Sequence, residues 1–497
     1  MSQYGFWSLI PPLLAIYFAI RTKQVYISLL IGIWLSWIII AHGNIFKGTY
    51  QTIMALVDVF KDSGNTKTIM FSALVGGLII LIQKSGGVTG FIHWIDTKLG
   101  GMPPEHLEKN RKKVQLFAWL TGIIIFVETS ISALTVGTVF RPLFDKLRIS
   151  REKLAYIADS SAAPISILIP FNAWGAFIMS LLLAQGFDNG FVVLFKAMQY
   201  NFYPVLAILL VFLVIIFDFN IGPMKKAAYR IRIKNQILAK GAKPMISEEL
   251  TGIKPVVSIQ KSKAYNMTLP LIIMVLMMPV SLIIDGWPKN GQEIEQGITI
   301  HKIVLALSKG SGSTAVLLAV ITAIIFAMLI YRIQKIAKIN SMFDWVMKGI
   351  SQMMPLAILM LLAFAISHVT KELHTGQYVA KLSQNILIPE LVPAIIFIIS
   401  AFVAFATGTS WGTFAIMIPI AAQMATTLDV NPYLSIAAVL SGGVFGDHTS
   451  PISDTTIIAS MASASDHIDH VKTQLPYALL AGALSAVLFL IFGFFSS

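Results

Sequence analysis

The chain has 497 residues, of which 56% are apolar and only 12% are charged, against about 25% charged residues in an ordinary soluble domain. This composition excludes a soluble globular protein, and the absence of cysteine excludes disulfides, thiolate metal sites and cysteine nucleophiles. A spanning helix needs about 20 apolar residues, and runs of that kind recur from Phe6 to Phe495. The sequence therefore predicts an all-α polytopic membrane protein.

The formal net charge of +13 lies in loops, so we predict membrane lipid and no nucleic acid as a partner. The segment 218–264 alone carries ten Lys and Arg residues and three acids. The positive-inside rule places this segment in the cytoplasm. It divides the chain into a first transmembrane repeat (1–217), a basic cytoplasmic loop (218–264) and a second, inverted transmembrane repeat (265–497).

The first repeat is predicted to contain five spans and one re-entrant hairpin. The span that starts at Phe6 has no basic residue before it and two after it, so we expect it to stay uncleaved with the N-terminus outside. The apolar segment 114–140 lies between two basic loops and is too short for two spans of about 20 residues, so we predict that it enters the membrane and returns. Its polar tip is Glu128, Thr129 and Ser130.

The second repeat shows the same order of elements. The apolar segment 388–428 is predicted to be a hairpin with Thr407, Gly408, Thr409 and Ser410 at its centre. The spans 434–459 and 475–495 follow, and the C-terminus is expected outside. Because the two hairpins open to opposite sides, the sequence predicts inverted repeats of about five spans plus a hairpin each, with a substrate site near the midplane at broken helices.

Polar clusters follow each hairpin. Proline inside a helix removes a backbone donor, so breaks are predicted at Pro164, Pro170 and Pro451. Freed carbonyls, hydroxyls and carboxylates suit a hard cation such as Na⁺. The first cluster contains Asp159, Ser160 and Asn172, and the second contains Asp447, Thr449, Ser450, Ser453, Asp454 and Thr455.

Four acids are placed within the membrane by these predictions: Glu128, Asp159, Asp447 and Asp454. A charge at the bilayer centre costs about 2.5–3.5 kcal/mol on insertion scales, so each acid should bind a cation or hold a proton. A bound cation lowers a carboxyl pKa and desolvation raises it, so the two occupants compete. Structural roles stay open, because an acid can pair with His or backbone, and the hydroxyls of Thr449, Ser450 and Ser453 can bond their own helix.

The segment Asp466–His470, with the sequence DHIDH, spaces two histidines three residues apart. A metal site is one interpretation. We favour a solvated cytoplasmic helix end, where histidine could sense pH.

The motif GDHTSPISDTT, the following SDHIDHVKTQLPY, the N-terminal SLIPPLLAIYFAI and the central KLAYIADSSAAPISILIPFNAWGAF together resemble the NhaC-type Na⁺/H⁺ antiporters of the ion transporter superfamily. The resemblance implies a multi-pass protein of the bacterial inner membrane. It also implies that the polar core comprises Asp447, Thr449, Ser450, Ser453, Asp454 and Thr455, with Asp159, Ser160 and Asn172 from the first half.

The leading hypothesis is exchange of Na⁺, or Li⁺, for H⁺ by alternating access, with Na⁺ at Asp447 and Asp454 and with no cofactor beyond the transported ions. A Na⁺- or H⁺-coupled carrier of a small organic anion or amino acid is the alternative. In that case Asn172, Trp174, Thr409, Ser410 and Trp411 would contact the solute. An intramembrane hydrolase that uses His448 or the DHIDH histidines is disfavoured, because the chain has no HExxH motif. A homodimer stays open.

Overall fold

The computed structural model describes residues 4–22, 25–99, 107–126, 129–170, 172–244, 256, 262–287, 302, 306, 309–375, 378 and 388–495. These residues form twenty α-helices and no β-strand. The helices of the first half are α1 (Ile10–Thr22), α2 (Val25–Ile40), α3 (Ile45–Asp58), α4 (Ser63–Lys84), α5 (Gly87–Leu99), α6 (Leu107–Ile124), α7 (Thr129–Lys146), α8 (Arg151–Leu168), α9 (Ala173–Ala184), α10 (Gly190–Met198) and α11 (Phe202–Ile216).

The basic segment contains α12 (Gly222–Lys234). The second half contains α13 (Tyr265–Gly286), α14 (Gly312–Ile333), α15 (Ile339–Glu372), α16 (Val392–Thr407), α17 (Ser410–Thr427), α18 (Pro432–Thr449), α19 (Asp454–Ser463) and α20 (His467–Phe495).

The prediction of an all-α polytopic membrane protein is confirmed. Among the described residues, six helices are long and apolar enough to cross a bilayer. Two bent pairs, α8 with α9 and α10 with α11, turn by 40° and 47° at their breaks, and each pair is long enough for one further span. One detail differs from the prediction, since Pro389–Thr407 qualifies as a span by length and composition although it was expected to be a hairpin arm.

Each half contains a helix hairpin followed by an interrupted helix. In the first half α6 and α7 form the hairpin, and the chain leaves the helix between α8 and α9 at Pro170. In the second half α16 and α17 form the hairpin, and the chain leaves the helix between α18 and α19 at Pro451. The opposite orientation of the two halves stays a prediction.

The prediction that Pro164 breaks a span is wrong, because α8 continues through Pro164 to Leu168. Membrane helices tolerate proline where neighbouring helices and hydroxyl side chains satisfy the freed backbone groups. Pro164 has such surroundings, since the residues of α8 from Glu152 to Ile167 are all buried. The helix ends instead one turn later, where Asn172 caps the start of α9 by accepting a hydrogen bond from the Gly175 N–H.

The basic segment was predicted to be a loop, but its helix α12 packs against α8 and α20 and buries Met224 and Ile231. Ion pairs hold α12 in place: Arg230 lies 2.6 Å from Glu152, and Arg232 lies 2.7 Å from Asp218. Lys153 also contacts Asp218, at 3.0 Å. Burial by itself would raise the pKa of Asp218, but the hydrogen bonds and charges of Arg232 and Lys153 outweigh burial and hold this pKa well below its ordinary value.

Two glycines four residues apart bring α16 and α18 together. A Cβ on Gly442 would collide with the carbonyl oxygen of Phe397, and one on Gly446 would collide with the carbonyl oxygen of Ala401. Small residues at this spacing let helix backbones approach closely in membranes, where packing drives helix association. The contact therefore positions the end of α18, which carries Asp447.

We expect Gly442→Leu and Gly446→Leu to separate α16 from α18 and to lower the free energy of unfolding by about 1–3 kcal/mol, the usual cost of overpacking. Thermal unfolding of the purified protein in detergent measures the change. Gly64→Ala is the matched control, since its Cβ would meet chiefly the flexible carboxylate of Asp62. Equal unfolding temperatures for all three variants would contradict this view of the contact.

Candidate functional site

The helix break between α18 and α19 separates two carboxylates. Asp447 lies in the last turn of α18, and Asp454 is the first residue of α19. Ser453 caps α19 by accepting a hydrogen bond from the Thr456 N–H. The charges of Asp447 and Asp454 interact across the break. This arrangement offers two carboxylates beside backbone that is not committed to helical hydrogen bonds.

Asp447 is buried, with only 2% of its surface exposed. Its Oδ2 accepts a hydrogen bond of 2.7 Å from the hydroxyl of Ser410. Ser410 begins α17 directly after the turn at Gly408, whose φ of +69° suits glycine. Oδ1 of Asp447 is buried and has no hydrogen-bond partner within the described ranges. A buried carboxylate oxygen of this kind favours a proton or a cation as its occupant.

Asp454 differs from Asp447 because its side chain is exposed. Its Oδ1 accepts a hydrogen bond of 2.8 Å from the Thr455 N–H. Asp454 also lies at the N-terminus of α19, where the helix dipole favours a negative charge or a polar ligand. The two acids therefore have unlike surroundings, since the side chain of Asp447 is enclosed and that of Asp454 is exposed.

Asp159 on α8 is fully buried and reaches the second half of the chain. Its Oδ2 accepts hydrogen bonds from Thr456 Oγ1 at 3.0 Å and from Gln474 Nε2 at 2.7 Å. Its Oδ1 finds no hydrogen-bond partner in the part of the chain that the structure describes. Asp159 is thus a second buried carboxyl group, and α19 and α20 supply the groups that hold it.

His448, next to Asp447, connects the two halves by a separate pair of contacts. Its Nε2 lies 2.9 Å from the hydroxyl of Ser160, and its Nδ1 lies 2.6 Å from the hydroxyl of Tyr203. Nε2 is also 4.0 Å from Oδ2 of Asp159. The sequence suggested His448 only as part of a hydrolase, and the structure places it in a hydrogen-bonded core instead.

The interpretation of DHIDH as a solvated helix end is wrong for its histidines. His470 is fully buried, and its Nε2 lies 4.0 Å from Oδ2 of Asp159. His467 is half-buried and contacts the carbonyl oxygen of Pro451 through Nε2 at 2.7 Å. The reason is a sharp reversal after α19 at Ala464, whose φ is +49°, which folds the start of α20 back against α19 and α8.

The hydroxyl residues of the second cluster mostly donate to the backbone. Thr449 donates to the carbonyl oxygens of Phe445 and Gly446, and Ser450 donates to that of Phe405. Ser453 and Thr455 contact each other at 3.0 Å.

The remaining predicted residues make no described hydrogen bond to these carboxylates, or they lie outside the described residues. Asn172 donates to the carbonyl oxygens of Phe126 and Ser166, which joins the first hairpin to the first break. Thr409 immediately precedes α17, and Thr129 is buried at the start of α7. Glu128 and the side chain of Ser130 lie outside the described residues.

The sequence did not identify Gln474, Ser460 and Tyr203 as parts of the core, whereas Thr456 lay inside the predicted polar segment from Gly446 to Thr456. One signal was present, because His467, His470 and Gln474 recur at helical spacing and share one face of a helix. Tyr203 carried no such pattern, since only the packing of α11 against α18 brings it to His448.

Comparison with known proteins identifies the family. The model of the Na⁺/H⁺ antiporter family matches residues 185–494. This chain belongs to the Na⁺/H⁺ antiporter family. It is 31% identical to an uncharacterized protein of Haemophilus influenzae over 98% of this chain and 91% of that protein. It is also 38% identical to the malate-2H⁺/Na⁺-lactate antiporter of Bacillus subtilis, over only 20% of this chain and 21% of that protein.

A solved structure shares the fold. The YdaH transporter of Alcanivorax borkumensis matches with a TM-score of 0.55 and 12% identity, over 89% of this chain and 88% of that one. The NhaC-type resemblance is confirmed by the family match, and the chain is a multi-pass membrane transporter rather than an enzyme. The hydrolase hypothesis is therefore dropped.

We expect Gln474→Leu to destabilise the protein by about 1–3 kcal/mol, because it leaves buried groups of Asp159, His470 and the His448 backbone without their partner. Thermal unfolding in detergent measures the loss. Gln199→Leu, an exposed glutamine after α10, is the control and should unfold at the wild-type temperature. An unchanged unfolding temperature for Gln474→Leu would show that the network does not hold the halves together.

Proposed function

We propose that this transporter exchanges Na⁺ for H⁺, with Li⁺ as a second cation of the same chemistry. The observation that carries the proposal is the enclosed Asp447, with one oxygen unpaired in the described structure, beside the open Asp454 at a break in a membrane helix. The family match supports the same exchange.

In this proposal Na⁺ binds between Asp447 and Asp454, with hydroxyl oxygens such as those of Ser410 and Ser453 completing its oxygen shell. Asp159, held by Thr456 and Gln474, carries the proton. The charge of Asp159 interacts with those of Asp447 and Asp454. Binding of Na⁺ therefore favours loss of a proton from the carboxyl cluster, and protonation favours release of Na⁺.

The proposal includes the membrane arrangement predicted from charge. The protein lies in the inner membrane of a bacterium, with the basic segment in the cytoplasm and both termini outside. The two halves rock as inverted repeats around the breaks near Pro170 and Pro451, which opens the carboxylates to one side at a time.

We expect Asp447→Asn and Asp454→Asn each to reduce Na⁺-driven H⁺ flux in proteoliposomes to the level of protein-free liposomes, because each removes a charge that a desolvated cation requires. The flux is read with a pH-sensitive dye inside the vesicles. Asp429→Asn, at an exposed turn after α17, is the matched control and should transport like the wild type. Wild-type flux in both cluster variants would refute the assignment.

An organic solute is the second candidate cargo, and one observation favours it. Trp174 of α9 and Trp411 of α17 pack with ring centroids 5.2 Å apart, and Phe177 lies 5.1 Å from Trp411. Aromatic faces beside two helix starts could hold a small carboxylate, and the partly matching Bacillus subtilis relative is named for malate and lactate.

Uptake of labelled malate, lactate and arginine under sodium and proton gradients separates the two cargoes. For Na⁺/H⁺ exchange alone we expect none of the three to accumulate above protein-free liposomes. Accumulation that disappears in Trp411→Ala would establish the carrier instead.

A further inference from the structure

A chain of polar contacts leads from the half-buried His467 to the buried Asp159. Ser460 of α19 lies between two imidazoles, 3.0 Å from Nδ1 of His467 and 2.8 Å from Nδ1 of His470. Nε2 of His470 lies 2.9 Å from Oε1 of Gln474 and 4.0 Å from Oδ2 of Asp159. Ser460 and His470 are fully buried, so this chain crosses the interior.

The outer end of this chain lies on the face of the protein that carries the basic segment. Asp466, directly before His467, accepts a hydrogen bond from the Lys243 N–H at 2.8 Å. The turn before it is held by Arg151, whose guanidinium donates to the carbonyl oxygen of Ala464. His467 is therefore the point at which the buried network meets this face.

The hydrogen bonds of Gln474 determine the protonation of His470. The amide nitrogen of Gln474 faces two acceptors, Oδ2 of Asp159 and the carbonyl oxygen of His448, each at 2.7 Å. Its oxygen therefore faces His470, and an amide oxygen can only accept, so His470 carries a proton on Nε2. His467 is likewise protonated on Nε2, because that atom faces the carbonyl oxygen of Pro451.

Both Nδ1 atoms then face the same hydroxyl. The Ser460 hydroxyl also lies 2.8 Å from the carbonyl oxygen of Thr456, so when both histidines are neutral three acceptors face its single proton. When one histidine carries an extra proton on Nδ1, that N–H donates to Ser460, and the hydroxyl proton is free to turn from the Thr456 carbonyl to the other histidine. One excess proton on the pair therefore gives a continuous hydrogen-bonded path through Ser460.

We propose that His467, Ser460 and His470 form a proton relay between the face that carries the basic segment and Asp159. The proposal rests on the proposed exchange of Na⁺ for H⁺ and supplies its proton route. These three residues are relay residues and do not contact the transported Na⁺.

Each step of the transfer moves one proton from a donor atom to an acceptor atom, and no proton is gained or lost overall. The Nδ1 proton of His467 moves to the oxygen of Ser460, while the hydroxyl proton of Ser460 moves to Nδ1 of His470. The cationic His470 then gives its Nε2 proton to Oδ2 of Asp159, after the gap of 4.0 Å closes to hydrogen-bond length. His470 is then neutral with its proton on Nδ1. In the reverse sequence Asp159 returns a proton to Nε2 while the Nδ1 proton passes back through Ser460 to His467, which restores the first tautomer and releases a proton at His467.

The groups that face the relay would set its dependence on pH. Asp159 on α8, His448 on α18 and His467 on α20 interact electrostatically with His470. Asp466 interacts with His467.

Two transport assays test the relay: one measures exchange of Na⁺ for H⁺, and the other measures exchange of Na⁺ for Na⁺, which moves no proton. In proteoliposomes of the full-length protein, we expect Ser460→Ala and His470→Asn to reduce Na⁺-driven H⁺ flux by about 100-fold, the lower end of what a positioned proton-transfer group contributes. Exchange of labelled Na⁺ for unlabelled Na⁺ at equal pH should stay at the wild-type rate. Wild-type H⁺ flux in both variants, or an equal loss of both fluxes, would overturn the relay.

Ser463→Ala is the matched control, since Ser463 is buried on the same helix and donates only to the carbonyl oxygens of Ala459 and Ser460 among its described contacts. It should leave both fluxes unchanged. A wild-type protein without any Na⁺-driven H⁺ flux would refute the proposed exchange, and the relay is then decided by a measurement that needs no transport.

That measurement is nitrogen NMR of the full-length protein with labelled histidine. We expect His470 to show the Nε2–H tautomer, and the Nδ1 signals of His467 and His470 to shift together as pH falls. Ser460→Ala should separate the two shifts. An Nδ1–H tautomer at His470, or independent shifts in the wild type, would contradict the relay.

Discussion

The side-chain amide of Gln474 is the interaction on which the core of this transporter depends. It donates to Asp159 from the first half of the chain and to the backbone of His448 from the second, and it accepts from His470. An amide has a donor end and an acceptor end, so these three contacts also set the direction of every hydrogen bond around it. Burial prevents any of these three hydrogen bonds from being lost without cost, because an unpaired buried polar group in a membrane protein costs several kcal/mol.

The break between α18 and α19 separates the roles of the carboxylates. Asp447 is enclosed at the end of α18, whereas Asp454 is exposed at the start of α19. Asp159 lies on the unbroken α8 and is held by hydrogen bonds from two other helices. Acids at a break can change their surroundings with a small movement of the chain, while an acid on a continuous helix stays in place. That difference favours cation exchange at the break and proton storage on α8.

Close helix packing makes this geometry possible. Gly442 and Gly446 let α18 approach α16, which brings Asp447 to the Ser410 hydroxyl at the start of α17. The ion pairs of α12 with Glu152 and Asp218 fix the beginning of α8. The first contact lies directly beside Asp447, and the second lies about two turns before Asp159 on α8, so each determines where one carboxylate sits.

The sequence by itself determined the class of protein, the breaks at Pro170 and Pro451, and the family. These features depend on local composition: apolar length for spans, proline for breaks and a contiguous motif for the resemblance. It was wrong at Pro164 and at the DHIDH histidines, because both outcomes depend on neighbours that are distant in the chain. Packing around α8 keeps the helix continuous through Pro164, and the reversal at Ala464 buries His470. Only the tertiary structure decided which residues form the hydrogen-bonded core, namely Asp159, His448, His470 and Gln474. Contacts between residues some 300 positions apart cannot be predicted from the local periodicity of a single sequence.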